Sequence, residues 1–202
     1  MVLERQYVTV HFIKIYIDKN GYLDLRRRGI KDMNEVIGLD KLQGLRRLSL
    51  GNYDENDSKI YENKWHYNDI SEFRAFKSFE LLEELDLSYC FRFTSFLGNL
   101  KYLKNLQKLS LKHCKSLELL PKSIKQLRSL KKLDLSYCYK LKTLPRDISS
   151  LKLIKEINLN FCVLLESVPD SVYDIKSLET LNLFNCYKLS SLPEIKRNVL
   201  ML

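Results

Sequence analysis

The chain of 202 residues is 45% hydrophobic and 29% charged, which is enough apolar material to bury a core in one or two domains of ordinary size. No run approaches the ~18 apolar residues that a membrane-spanning helix needs. The opening Met-Val-Leu-Glu-Arg-Gln-Tyr lacks the basic-then-apolar order of a secretory signal, so a cytoplasmic setting is expected. The formal net charge of +9 is uneven: residues 101–160 hold 15 Lys and Arg against 4 Asp and Glu, or +11, leaving −2 for the rest. Such a field attracts acidic partners without choosing among protein, nucleic acid and anionic lipid, and a lysine-rich solvated face gives the same count.

From the amino terminus, Val8 to Ile17 alternates apolar and polar residues with one change of face. This predicts strand structure capping the open end of a core, paired as a hairpin with residues 22–25. Tyr22, Leu23, Asp24, Leu25 and Ile30 read as a degenerate first repeat, and Leu45, Leu48 and Leu50 as an earlier copy of the motif described next. The following unit opens at Leu82, 13 residues later than the period allows. The excess lies within Gly51–Ser71, whose Asp54, Glu55, Asn56, Asp57, Ser58, Glu62, Asn63 and Asn68 predict a looped-out insertion. Tyr53, Tyr61, Trp65 and Tyr67 make that insertion more aromatic than a spacer requires.

Beyond it the chain keeps strict time. All five cysteines, Cys90, Cys114, Cys138, Cys162 and Cys186, and all four prolines, Pro121, Pro145, Pro169 and Pro193, recur every 24 residues. The unit is LxxLxLxxCxxLxxLPxxIxxLxx, as in Leu106, Leu109, Leu111, Cys114, Leu117, Leu120, Pro121, Ile124 and Leu127. In its LxL part the apolar residues alternate as in a strand with one inward face. PxxIxxL has the three-residue spacing of a helical or 3₁₀ turn, with proline at a first helical position that needs no amide donor. One such coil cannot bury its own leucines, whereas stacked coils share a continuous core and a parallel sheet. The organisation read from the chain is a single domain: cap strands over 1–25, irregular repeats over 26–75 with the insertion at about 51–71, and regular 24-residue repeats over 76–202. The terminal Val199-Leu200-Met201-Leu202 carries no polar cap, which predicts a fragment or packing against something further.

The LxxLxLxxC signature resembles the leucine-rich repeats. Its LPxxIxxL continuation, seen in Leu-Asp-Leu-Ser-Tyr-Cys-Tyr-Lys-Leu-Lys-Thr-Leu-Pro at 133–145, is most similar to repeats of plant intracellular immune receptors, over about residues 76–199. That resemblance implies a right-handed, curved α/β solenoid of about seven turns, with a parallel sheet on the concave side and short helical or 3₁₀ segments on the convex side. It also implies that the cysteines face inward and satisfy backbone groups of the adjoining coil. The plant receptors carry a nucleotide-binding domain before their repeats, which this sequence does not contain. An odd number of cysteines without a CxxC pair argues for buried reduced thiols rather than disulfides or zinc, and hence for a reducing compartment. His11, His66 and His113 fall in separate contexts, and no phosphate loop, nucleophile elbow or kinase signature is present. No metal, cofactor or catalytic activity is expected.

Residues beside the buried leucines form outward columns. Arg47, Glu84, Lys108, Lys132, Glu156 and Thr180 form one, Ser49, Asp86, Ser110, Asp134, Asn158 and Asn182 the next, and Gly51, Ser88, Lys112, Ser136, Asn160 and Phe184 the third. Flanking the cysteines, Asn52, Tyr89, His113, Tyr137, Phe161 and Asn185 precede them, and Phe91, Lys115, Tyr139, Val163 and Tyr187 follow. Tyr and Phe beside Lys are the composition of protein-interface anchors, although rings that merely seal the core edge would give the same pattern. The expected function is recognition of a protein ligand, with Tyr89, Lys108, Lys112, Lys132, Asp134, Tyr137, Tyr139, Asn158, Phe161, Phe184 and Tyr187 as the binding residues. Nucleic acid is the alternative partner, its bases stacking on the aromatics and its phosphates meeting Lys108, Lys112, Lys115, Lys132 and Lys140. A purely architectural spacer is the third reading.

Overall fold

The computed structural model describes residues 6–52, 67–75, 77–97, 100–190 and 200–201. Two antiparallel strands, β1 (Tyr7–Val10) and β2 (Ile13–Tyr16), come first. The parallel sheet of the solenoid then runs β3 (Tyr22–Asp24), β4 (Arg47–Ser49), β6 (Glu84–Asp86), β8 (Lys108–Ser110), β9 (Lys132–Asp134), β10 (Glu156–Asn158), β11 (Thr180–Asn182) and β12 (Leu200–Met201). Between β4 and β6 lies β5 (Glu72–Arg74), and between β6 and β8 lies β7 (Ser95–Leu97); these two pair with each other as a separate parallel sheet. The line of that second sheet continues through single bridges, Leu119 to Thr143 and Thr143 to Ser167.

The register follows the period: Leu48, Leu85, Leu109, Leu133, Ile157 and Leu181 stand side by side and are all essentially buried. Each strand is only three residues long because the next residues turn away. In the coil after β8, the Cys114 amide donates to the Leu111 carbonyl at 3.0 Å with His113 at φ 59, a β-turn that demands a left-handed third residue. Tyr89, Tyr137, Phe161 and Asn185 hold the same place at φ 58–63. The strand ends are closed by side chains as well: Asp24, Asp86, Asp134, Asn158 and Asn182 each accept, through Oδ1, the amide two residues on, at 2.9–3.1 Å. These are the local side-chain turns at which Asp and Asn excel.

On the opposite side, 3₁₀ turns occupy Lys122–Gln126, Ile148–Ser150 and Asp170–Asp174. Pro121 and Pro169 sit one position earlier than the first helical residue expected for them. Both are extended caps at φ −67 and −66, and their carbonyls accept the first turn's amides from Ile124 and Val172. Such a position also needs no amide donor, so the physical reason for proline survives the shift.

The cysteine thiols line the interior as one ladder. Cys114, Cys138, Cys162 and Cys186 donate to the carbonyls of Leu87, Leu111, Leu135 and Leu159 in the preceding coil at 3.1–3.3 Å, and Cys90 reaches Leu50 at 3.7 Å. All five are free thiols, four of them buried, and burial pushes the Cys138 thiol up to about 12, so these groups stay protonated.

Two expectations are corrected. The hairpin closes within residues 7–16 through a His11–Phe12 turn with both φ positive (48 and 67), the primed geometry of tight hairpins, and residues 22–24 instead open the parallel sheet. Asn68, expected in a polar loop, is 1% exposed. It takes the ladder position that Tyr53 holds by sequence count: its Nδ2 donates to the Leu25 and Leu50 carbonyls, both at 2.7 Å, and its Oδ1 accepts the Arg28 and Ile30 amides at 3.0 Å. Asn52 clamps both ends of Asn68, donating to its carbonyl at 2.8 Å and accepting its amide at 2.6 Å. Residues 53–66 of the predicted insertion, including Tyr53, Tyr61 and Trp65, lie outside the described residues. Around the irregular coil, Phe73, Phe79, Phe93 and Phe96 replace leucine, with Phe93 and Phe96 edge-to-face at 5.1 Å.

Asn68→Ala strands the buried Leu25 carbonyl and the Ile30 and Arg28 amides, leaves the Leu50 carbonyl only the Cys90 thiol at 3.7 Å, and should lower unfolding free energy by about 3 kcal/mol or more. Cys138→Ala loses one weak thiol bond and a small volume, about 1–2 kcal/mol. Urea denaturation of the two variants checks the ordering; equal losses would contradict the ladder role of Asn68.

Candidate functional site

The outward face of the parallel sheet forms a groove of about 380 Å³ running from Tyr22 of β3 to Glu156 of β10. Its side chains come from alternate strand positions, the inward ones being committed to the core. The charges on this floor are largely matched across strands: Lys108 to Glu84 at 2.6 Å and Lys132 to Glu156 at 2.7 Å. Arg26 grips Asp24 by a fork at 2.9 and 2.7 Å, and Arg47 lies 5.0 Å over the Tyr22 ring. Burial works to raise the Asp24 carboxyl, but the Arg26 fork outweighs it and leaves the group below its ordinary value. Asp86 lies deeper. Burial pushes its carboxyl up against the opposing donation from the Ser88 hydroxyl and amide, and Ser88 Oγ meets Ser110 Oγ at 2.7 Å.

Of the expected binding residues, Lys108, Lys132 and Asp134 lie in this groove, while Asn158 stands beside it on β10. Lys108 and Lys132 are the ion-paired lysines just described, and Asp134 and Asn158 each spend one oxygen on a turn amide. Tyr89, Tyr137, Tyr139, Phe161, Lys112, Phe184 and Tyr187 gather instead on the edge where the strands end. There Tyr89, His113, Tyr137 and Phe161 form one stack, with centroids 4.3, 4.2 and 4.7 Å apart and planes within 23°, 9° and 9°. These rings are half-buried because each covers its neighbour's face. The row that follows the cysteines meets them edge-on, Phe91 against Tyr89 at 6.1 Å and Tyr139 against Tyr137 at 6.2 Å, and Phe184, two places before its cysteine, meets Phe161 at 6.1 Å. Lys115 projects its ammonium between that row's rings, 4.9 Å from Phe91 and 5.6 Å from Tyr139. Phe184 and Tyr187 are the open members, 57% and 74% exposed.

His113, placed in this column by the period but not among the expected binding residues, is part of the stack. One feature of the edge escaped the reading of the chain: from Tyr89 to Asn185 the column is left-handed, a conformation that asparagine adopts readily and bulky residues do not. Asn185 in the same column was the available clue. Among the described residues no cluster of His, Cys, Asp and Glu is arranged to hold a metal ion, and no helix is long and apolar enough to cross a membrane.

His113 is pushed down to about 4, first by burial and then by the charges of Lys112 and Lys115. The folded ring therefore resists a proton that the unfolded chain accepts near its ordinary value, so this histidine destabilises the fold as pH falls from about 6.5 toward 4. Melting temperature should drop across that window in the native chain and drop less in His113→Asn, which keeps a left-handed turn residue; parallel curves for the two proteins would refute the assignment.

Comparison with known proteins agrees with this architecture. The leucine-rich repeat region family matches residues 64–199. A leucine-rich-repeat protein of Leptospira interrogans superposes with a TM-score of 0.60 at 30% identity, covering 83% of this chain and 38% of its own. The chain thus spans well under half of that protein's length. The leucine-rich repeat domain of the type III effector XopL superposes with a TM-score of 0.54 at 19% identity, covering 91% of this chain and 76% of its own, a likeness of fold alone. Among curated proteins no relative matches. With a match across two thirds of the sequence, a ladder of inward thiols and a parallel sheet in 24-residue register, the chain belongs to the leucine-rich-repeat family.

Proposed function

We propose that this chain is a non-enzymatic recognition module that binds a protein ligand across the sheet groove and its aromatic edge, as the sensor part of an intracellular receptor or adaptor in a reducing compartment. The observation that carries the reading is the aromatic column itself. Four consecutive coils place Tyr89, His113, Tyr137 and Phe161 in left-handed turns, where Asn185 shows that a relaxed residue fits. Backbone strain of this kind runs at about 1–3 kcal/mol per residue, and where it recurs at a surface it points to use. Repeats of this family generally mediate protein–protein contact, and the groove floor, polar with matched charges, suits a protein surface of mixed polarity. The thiols of the ladder are protonated and unpaired, in keeping with a reducing setting.

Nucleic acid is the weaker reading. Lys108 and Lys132 already hold carboxylates, and the faces of the inner rings are covered by one another, leaving few planes for bases to stack on. An architectural spacer would have no need of strained aromatics.

Affinity capture with native protein and with Ser110→Trp, which fills the groove from an outward position, tests the reading: the bound set should be lost with Trp while melting stays within a few degrees. Retention of the same proteins by both, or of none by the native chain, counts against it. Tyr137→Asn removes two stacking contacts worth about 1–2 kcal/mol but relieves the left-handed turn, so stability should barely change while capture weakens. Full capture with a lowered melting temperature would assign the column to structure instead.

A further inference from the structure

We propose that the free edge of β2 is a self-association site, at which a second copy of the chain adds its own β2 antiparallel across a two-fold axis. This surface belongs to the amino-terminal hairpin, apart from the sheet groove and the aromatic edge, and does not rest on the recognition reading.

Alternation decides which way each backbone group of the hairpin points. Thr9 on β1 exchanges both of its hydrogen bonds with Ile37, at 3.0 and 2.9 Å, so Lys14 beside it on β2 is not bonded to it. The Ile17 amide donates to the Gln6 carbonyl at 3.0 Å, which puts residues 13, 15 and 17 on the bonded rungs toward β1. The amides and carbonyls of Lys14 and Tyr16 therefore point out of the free edge, and among the described residues no hydrogen bond reaches them. An edge of this kind is a template for another strand, and natural proteins commonly guard it with a lysine. Here Lys14 lies 4.4 Å over the Tyr7 ring of β1, drawn back from the edge it would guard. The side chains along that edge are apolar and open: Ile13 is 57% and Tyr16 49% exposed, and Phe12 in the turn is fully so.

The partner follows from how few rungs are open. Residue 18 is not one of them, since its amide turns back to the Tyr22 carbonyl at 2.9 Å and its carboxylate accepts the Asn20 and Tyr22 amides, both at 2.8 Å. Nor is residue 12, which is left-handed at φ 67 in the hairpin turn. A two-fold pairing in which every open amide and carbonyl finds a partner sets Lys14 opposite Tyr16 of the second copy, and Tyr16 opposite its Lys14. Lys14 against Lys14 would oppose two ammonium groups and leave Tyr16 facing the turn, while Tyr16 against Tyr16 would need residue 18 as a rung.

The register chosen by the backbone also suits both faces. On the side that carries the buried Val8 and Val10, Ile15 meets Ile15 at the axis and Ile13 meets Ile17, β-branched pairs of the kind that stabilise sheets. On the other side each Lys14 comes to lie between Tyr7 of its own hairpin and Tyr16 of the second copy, a cation between aromatic rings. Tyr7 and Tyr16 are already ring neighbours at 5.4 Å. The strand is its own complement, and this selects a second copy over a foreign strand.

The test is sedimentation velocity on the full chain from about 10 µM to about 1 mM, a range that suits a small interface, joined with cross-linking. The native chain should sediment faster as concentration rises. Tyr16→Lys, which opposes ammonium groups across the axis, should weaken association about tenfold or more, and Lys14→Glu added to it should restore association. Lys14→Pro removes an edge amide without touching a bond to β1 and should weaken association similarly; where proline lowers the melting temperature, the charge pair decides. In a Cys186→Ser background, which removes the one cysteine that is not buried, oxidised glutathione should join Ile15→Cys into a covalent dimer. Ile13→Cys and Ile17→Cys should cross-link only when mixed with each other. A native chain that stays monomeric throughout, association untouched by Tyr16→Lys, a double variant no better than Tyr16→Lys alone, or cross-linking of Ile13→Cys by itself as strong as that of Ile15→Cys overturns the proposal.

Discussion

The architecture depends on a backbone carbonyl that would otherwise be stranded. Where each strand ends, the chain turns out of the sheet and the carbonyl two residues beyond the strand's central leucine faces the dry interior, where an unmet acceptor is expensive. In the regular coils the thiol of the next coil meets it. In the irregular coil Asn68 meets it, and because a carboxamide both donates and accepts, that one side chain also closes the loop carrying Arg28 and Ile30. The coils stack because each one completes the hydrogen bonding of the coil before it, and burial of the leucines then follows with little further specification.

Surface charge follows the same logic of neighbouring coils. Lys104 with Glu80, Lys108 with Glu84, Lys132 with Glu156, Lys142 with Glu118 and Lys155 with Glu179 all join residues 24 apart. Each exposed pair contributes little to stability, but together they distribute the excess of +11 in residues 101–160. Three of the partners, Glu80, Glu84 and Glu179, lie outside that segment and offset part of its excess.

Much of this was legible in the chain because period translates directly into register. The parallel sheet, the inward file of cysteines and the outward columns all follow from a step of 24 residues, and Lys108 beside Glu84 was visible as a column before it was visible as an ion pair. What stayed hidden depends on geometry that period does not encode. Asn68 lies 15 residues from the position it fills, and nothing in the composition of the insertion singles it out from Asn56 or Asn63. The left-handed turns were hidden because their occupants, tyrosine, histidine and phenylalanine, are residues that such turns ordinarily exclude. The hairpin was misassigned for the same reason: His11–Phe12 is not a pair that announces a two-residue turn. The proline offset of one residue is the usual ambiguity at a helix start, where cap and first helical position both tolerate a missing amide.

The thiol ladder has one more implication. Because Cys114, Cys138 and Cys162 make the same bond to the same acceptor at each level, their coils are interchangeable from the inside. Inserting or deleting one whole coil would leave the interior chemistry of every other coil intact. The molecule's length, and with it the number of rungs it can offer to something laid along its rim, can therefore vary in whole steps without redesign of the core.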